Sequence, residues 1–587
     1  MLKADNLVSY RQYLVAIGFT WLLIFILLGR YFQIQILGFD RYAKKANTNR
    51  IRKITTTAPR GLILDRNGQI LVDNLPTYVL TAIPGELSQK SEKFGIISKI
   101  IGLDSVTVSK NYKKYYRGRF IPTRLAKDLT FNQISKLEEH KLDLEGVYYE
   151  QVPERYFPSN VNASHILGYV KEVDKPIRKI LNKKGEYELG DLIGWNGLEK
   201  KYETFLKGKR GTYFYEVDAY GREVGLVSDL SPQNPVPGQN IVTTLDIQIQ
   251  HTLETLMNGK RGVVLVGDPV SGEILGAVST PDYKPDLFTG LMLEKEWNNI
   301  LYDPDKPLIN RFNQGLYPPG SIVKMITAIT LLKNSNFDPL AFQQCDGSFQ
   351  FGDRIFGCWW DQGHGQMDLN SAMLNSCDVY FYKTIQFYDL DKLSETFREF
   401  GFGQPTKIDI DGESNGIVPT IAFMNNRYGR YGWSRGALLN ICIGQGELLV
   451  TPMQVLNYLN LLATHGKANV PHFVMVDKLP VNVHPTMLQE NWDKITFGMR
   501  EVIVNKKGTG RSANPNIPGL KIFGKTGTAE NPHGDNHAWF IGWAEYQHEK
   551  YSVVVLMENS GSGGTVAAPL AKKVFVSIIE NRDFVSK

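Results

Sequence analysis

The chain has 587 residues, 42% of them hydrophobic and 21% charged, with a formal net charge of +6 at pH 7. That length corresponds to about three or four domains, with more than one buried core. A net charge this small, without a basic block or an aromatic-interleaved platform, argues against a nucleic-acid partner.

From Tyr13 to Leu37 the chain is apolar apart from Arg30 and a few uncharged polar residues. About 20 apolar residues span a bilayer, and Arg30 can snorkel to the far interface. No small-residue cleavage site follows, so residues 12–37 read as a permanent single-pass anchor behind a short tail, residues 1–11. The flanking charges favour the opposite orientation. Lys3 and Arg11 precede the span, whereas Arg41, Lys44, Lys45, Arg50, Arg52 and Lys53 follow it. Long domains translocate largely regardless of such charges, and the expected orientation keeps the N-terminus cytoplasmic.

Residues 38–235 read as an elongated non-catalytic region. Arg60-Gly61-Leu62-Ile63-Leu64-Asp65-Arg66-Asn67-Gly68-Gln69-Ile70-Leu71 is a strand, an Asn-Gly turn and a second strand, which predicts a β-hairpin. Lys90 to Ile101 and Asn132 to His140 predict short helices of a head. Ser231-Pro232-Gln233-Asn234-Pro235-Val236-Pro237-Gly238 is a linker, and Asp246 to Leu256 opens a new domain with a helix. A second hairpin is expected over Gly262–Asp268 and Gly272–Val278.

Tyr317-Pro318-Pro319-Gly320-Ser321-Ile322-Val323-Lys324 is the stretch on which the chemistry turns. Prolines and glycine deliver the chain to a helix start, and the apolar run to Leu332 predicts a buried helix from about Ser321. Positions i and i+3 share a face, so the Lys324 amine falls one turn from the Ser321 hydroxyl. A lysine whose pKa is lowered can serve as base to a serine nucleophile. Alone, the pattern is a helix cap followed by a solvated lysine. Ser376-Cys377-Asp378 and Lys525-Thr526-Gly527-Thr528 supply what it lacks. After the latter, Ala538–Trp543 and Tyr551–Met557 read as neighbouring strands and Ala567–Ile579 as a closing helix.

S-x-x-K, S-x-D and K-T-G, in this order, resemble the signature set of penicillin-binding transpeptidases. The Arg60–Leu71 box, Gly197-Leu198-Glu199-Lys200-Lys201-Tyr202 and Gly208-Lys209-Arg210-Gly211 resemble the N-terminal module of class B penicillin-binding proteins. The resemblance covers nearly the whole chain and is strongest from Gly262 to Pro569. It implies an α+β multidomain protein: a transmembrane helix, a pedestal or dimerisation-type module with a head over residues 38–235, and a D,D-transpeptidase over residues 236–587. The last would be an antiparallel sheet flanked by helices, as in serine β-lactamases.

By that resemblance Ser321 attacks the carbonyl between the last two D-alanines of a stem peptide, with Lys324 as base. The N–H groups of Ser321 and Thr528 form the oxyanion hole, and Ser376, beside Asp378, relays a proton to the leaving amine. Lys525 and Thr526, with Gly527, bind the terminal carboxylate. β-Lactams would acylate the same serine. Asp378 replaces the Asn of division-type relatives, so with Asp65-Arg66-Asn67-Gly68 and His537-Ala538-Trp539-Phe540 it favours the elongation type. The implied partner is a RodA-like SEDS glycosyltransferase in the inner membrane, within an elongation complex.

Cys345, Cys358, His364 and Cys377 make a Cys₃His set, which suits structural zinc. Some elongation-type relatives hold zinc here through Asp, Asp, His and Cys. His364 and Cys377 match the last two, and thiols replace the carboxylates. A Cys345–Cys358 disulfide, buried free thiols, or ligation by Asp346 or Asp361 are the other readings. Cys442 lies in the apolar run Leu438–Ile443 and reads as a packing residue. The alternatives to the whole reading are a division-type transpeptidase and a β-lactam-sensing receptor, the latter expected to carry several spans and an intracellular effector.

Overall fold

The computed structural model describes residues 10–42, 51–87, 90–119, 121–181, 187–217, 223–227, 230–288 and 294–585. Lys3, Lys44, Lys45 and Arg50, among the charges flanking the expected span, lie outside the described residues. The chain divides into two compact units. One takes Met1–Pro59, Thr77–Val152 and Gly208–Pro237, the other Arg60–Pro76, Pro153–Lys207 and Gly238–Lys587.

In the first unit, Tyr10–Leu37 is a continuous helix of 28 residues with no buried residue, and its most apolar 18-residue stretch has a mean hydropathy of 2.0. It is long and apolar enough to cross a membrane. Ile51–Thr56 pairs antiparallel with Gly211–Val217, which also takes Glu223–Leu226. Helices Lys90–Ile101, Ser105–Tyr115 and Phe131–Glu139 bury Phe94, Ile97, Val108, Ile134 and Leu137 in a small core of their own. The third begins one residue before its expected start because Thr130 and Gln133 close a capping box there.

The second unit contains the expected hairpin, with Ile63 opposite Val72. The Asp65 carboxylate accepts the N–H groups of Asn67 and Gln69 and closes the turn. Arg60, from the same box, donates to fully buried Glu199 at 2.6 Å and to Glu203 at 2.8 Å. Arg155 holds the other oxygen of Glu199 at 2.7 Å. Two motifs far apart in sequence are therefore halves of one buried ion-pair network.

The main sheet is fully antiparallel, in the order Ile274–Thr280, Gly262–Gly267, Glu549–Met557, His537–Tyr546, Lys521–Ala529. Its central strands are continuous apolar runs because both faces are covered. Val264, Val266, Val553 and Val555 pack beneath helices Ile247–Met257 and Ala568–Val585. Val263, Leu265, Val554 and Leu556 face the helical half of the unit, where Ile326 and Ile329 belong to the same core. A sheet with helices on each face is the α+β arrangement expected.

Candidate active site

Ser321 lies in a 3₁₀ turn, Gly320–Val323, which passes into the α-helix Lys324–Leu332. In a 3₁₀ turn residues i and i+3 eclipse, so Lys324 sits directly over Ser321. The turn has no side-chain cap; its first N–H, on Gly320, donates to the Gly444 carbonyl at 2.9 Å. Gly320 has φ +58, and a Cβ there would meet the Thr528 carbonyl oxygen at 2.7 Å. Gly527 is demanded just as firmly. Its added Cβ would lie 2.8 Å from the Ile322 side chain and 3.1 Å from the Pro319 carbonyl. The glycines let the nucleophile turn and the K-T-G strand touch.

Lys324 is fully buried and its amine contacts the second motif. Nζ donates to Asp378 Oδ1 at 2.7 Å, to the Ser376 carbonyl at 2.7 Å and to Ser376 Oγ at 3.2 Å. From the sheet side, Lys525 Nζ donates to Ser376 Oγ at 2.8 Å. Burial, then the charge of Lys324, holds the Lys525 amine well below its ordinary value. Ser376 thus bridges two lysines and adopts φ +52, a strained conformation for a residue with a Cβ. Cys377 rather than Ser376 is the N-cap of the helix Asp378–Ile385. Among the described residues the Ser321 hydroxyl makes no hydrogen bond, and it is half-buried, open to an incoming carbonyl.

Thr526 and Thr528 lie on the same strand, Lys521–Ala529. Thr526 Oγ1 donates to Thr509 Oγ1 at 2.9 Å, and Thr528 Oγ1 accepts the Gly563 N–H at 3.3 Å. Thr509 is a site residue that sequence reasoning missed; the short Gly508-Thr509-Gly510 stretch was its only signal.

The four proposed metal ligands converge, with their ligand atoms all within 4.8 Å of one another. His364 Nδ1 is 3.5 Å from Cys358 Sγ and 3.7 Å from Cys345 Sγ. All four cysteines of the chain are free thiols, so the expected alternative of a Cys345–Cys358 disulfide is not formed. Hydrogen bonding from Cys377 pushes the Cys358 thiol far down, and the same bond raises Cys377. Three sulfurs and an imidazole nitrogen converging on one point are a donor set that fits zinc. Cys442 is buried in the helix Gly436–Cys442, as its apolar neighbours predicted. The cluster is tied to the catalytic wall through the residue after Cys358: the Trp359 N–H donates to Asp378 Oδ2 at 3.0 Å.

A second network, also unforeseen, supports the nucleophile turn. The buried Glu558 carboxylate accepts from Tyr317 Oη at 2.6 Å and from Arg311 Nε at 3.0 Å, and pairs with Arg261. The Trp539 indole donates to the Pro318 carbonyl at 3.1 Å.

Residues 262–576 match the penicillin binding protein transpeptidase domain, and residues 55–243 match the penicillin-binding protein dimerisation domain. The peptidoglycan D,D-transpeptidase MrdA of Haemophilus influenzae is 32% identical over 99% of this chain and 93% of its own. The penicillin-binding protein PBP2 of Helicobacter pylori, solved in complex with MreC, is 31% identical with a TM-score of 0.81. That match covers 90% of this chain and 99% of that one. A chain from a peptidoglycan synthase complex, described for its structural coordination of polymerization and crosslinking, is 28% identical with a TM-score of 0.69. It covers 97% of this chain and 98% of that one.

Proposed function

The chain belongs to the penicillin-binding protein transpeptidases, and from that premise we propose that Ser321 is the residue acylated, within a site completed by Lys324, Ser376, Asp378, Lys525 and Thr526. The protein is a peptidoglycan D,D-transpeptidase of the elongation type. The observation that carries the residue assignment is the Ser376 hydroxyl, held between the Lys324 and Lys525 amines beside the Ser321 turn.

Ser321 Oγ attacks the carbonyl of the bond joining the two terminal D-alanines and gives its proton to Lys324, which acts in its neutral amine form after the resting ion pair with Asp378 has released a proton. The N–H groups of Ser321 and Thr528 take the oxyanion. As the tetrahedral intermediate collapses, the proton passes through Ser376 Oγ to the leaving amine, and terminal D-alanine departs. An acceptor amine from a second stem peptide then attacks the ester, and Ser321 recovers its proton. Asp378 keeps Lys324 turned toward Ser376; Lys525 and Thr526 orient the terminal carboxylate.

Cys345, Cys358, His364 and Cys377 hold one zinc ion, whose contribution when bound is structural. The support is the convergence of three thiols and one imidazole, together with the Trp359 N–H that fixes Asp378 from the same loop. The Tyr10–Leu37 helix is a single membrane anchor with a cytoplasmic N-terminus and the catalytic unit on the extracytoplasmic side of the inner membrane. Residues 38–235 form the pedestal and head, and residues 236–587 the transpeptidase domain. Because relatives are found with MreC and in a synthase complex, the partners are elongation-complex proteins, with a RodA-like SEDS glycosyltransferase as the polymerase.

The test of the site is covalent labelling of the full chain with a fluorescent penicillin. Ser321→Ala should abolish it, and stoichiometric labelling of that variant would overturn the assignment.

A further inference from the structure

Two tryptophans stand beside the catalytic wall and take no part in the chemistry. Trp359 is 56% exposed and Trp360 44% exposed, whereas Trp492, Trp539 and Trp543 are buried; among the described tryptophans only Trp21, in the Tyr10–Leu37 helix, is more exposed than Trp359. Leaving adjacent indoles in water forgoes burial of large apolar surfaces. They are nevertheless not loose. The Trp359 N–H is bonded to Asp378 Oδ2, and its indole Nε1 donates to the Asn375 carbonyl at 3.0 Å. Its ring packs 5.4 Å from the His364 ring and 5.8 Å from that of Trp360, tilted by 60° to the latter. With the polar edge of Trp359 already satisfied by main chain, what it offers to solvent is carbon.

We propose that Trp359 and Trp360 form a stacking subsite for the pyranose rings of the glycan strand that carries the stem peptide. The inference rests on the transpeptidase reading above. A pyranose has an apolar C–H face and a hydroxylated edge, so it stacks on an indole face while its hydroxyls stay in water. The same logic lets any planar π-face hold a ring without sequence-like readout. Rings locked before binding give contact area at low entropic cost. The position suits the strand rather than the peptide terminus. The carboxylate end is assigned to Lys525 and Thr526 on the sheet side, whereas Trp359 is bonded to Asp378 on the opposite wall. A sugar stacked there would hold the peptide's attachment point beside the cleft that its far end must enter.

The test uses the full chain in detergent and the variants Trp360→Ala and Trp360→Tyr. Trp360 is chosen because the hydrogen bonds that fix the wall belong to Trp359. Acylation by benzylpenicillin, which has no sugar, should stay within about twofold in both. Cross-linking of glycan-bearing strands should fall about tenfold in Trp360→Ala, the size of one lost stacking contact, and recover in Trp360→Tyr. Cross-linking of sugar-free stem peptides should not change. Titrating the unsubstituted protein with peptide-free GlcNAc–MurNAc oligomers should alter its tryptophan fluorescence, and the same titration of Trp360→Ala should alter it far less. Equal losses on glycan-bearing and sugar-free substrates, an unchanged glycan-bearing rate, or no fluorescence response to the oligomers would each overturn the subsite. None of those results touches the serine assignment, which fails only on labelling. If Trp360→Ala does not fold, the oligomer titration decides alone.

Discussion

Lys324 Nζ lies 2.7 Å from Asp378 Oδ1, in an ion pair whose lysine is fully buried. A buried pair adds little over a well-packed apolar pair, but removing one partner strands the other charge at a cost of about 3–5 kcal/mol. Asp378→Ala should therefore lower the melting temperature sharply. Asp378→Asn, whose single amide oxygen can accept from Lys324 or from the Trp359 N–H but not from both, should lose less stability but still slow β-lactam acylation. Equal melting of Asp378→Ala and the parent protein would mean that Lys324 is not held by this carboxylate.

Lys525 gives the pH dependence. Burial lowers its pKa well below the ordinary 10.5, so over the window between that lowered value and 10.5 the unfolded chain binds more protons than the folded one. Stability from this group therefore rises with pH through the window and is lost on the way down. Compared with Lys525→Met, the parent protein should gain stability as pH is raised from about 8 toward 10. Parallel melting curves for the two across that range would refute a depressed amine. The same variant should lose acylation at every pH, since it empties the donor that shares Ser376 Oγ.

Much of this was legible in the sequence because the motifs are local. The helix Lys90–Ile101, the Asn67-Gly68 hairpin, the helix capped by Asp246 and the paired strands around Lys525 all follow from spacing and turn chemistry. What was not legible depends on contacts between distant segments. Nothing in the local sequence says that Arg60 meets Glu199, that Tyr317 meets Glu558, or that Thr509 reaches Thr526. Nor does spacing say that Lys324 turns to Ser376 and Asp378, leaving the Ser321 hydroxyl free among the described residues. The convergence of Cys345, Cys358, His364 and Cys377 was foreseen from residue type, although their spacing matches no zinc finger.

Metal occupancy has a direct measurement. Native mass spectrometry of protein purified without chelator should show one zinc per chain, lost on denaturation with all four thiols titratable. Chelation should lower the melting temperature and slow acylation, because the loop that ends at Trp359 would no longer be pinned beside Asp378. Zinc re-addition should restore both. A metal-free native mass, with chelator having no effect, would reduce the cluster to packed thiols.

Tyr317 joins the nucleophile turn to a charge network behind it. Its main chain pairs both ways with Val450, at 3.0 and 2.9 Å, and its hydroxyl donates to buried Glu558 beside Arg311. Tyr317→Phe removes a charge-assisted hydrogen bond, a loss of about 1.5–3 kcal/mol, while leaving the arginine partners in place. Glu558→Ala should be worse, because Arg311 is only 4% exposed and would be left without its carboxylate, at a cost of about 3–5 kcal/mol. The informative readout is acylation at a temperature where Tyr317→Phe is fully folded. A several-fold slower rate there would mean that the network aims Ser321 as well as stabilising the fold. A rate equal to the parent protein's would confine the network to stability, since the Pro318-Pro319-Gly320 turn and the Trp539 hydrogen bond would then suffice to place the nucleophile.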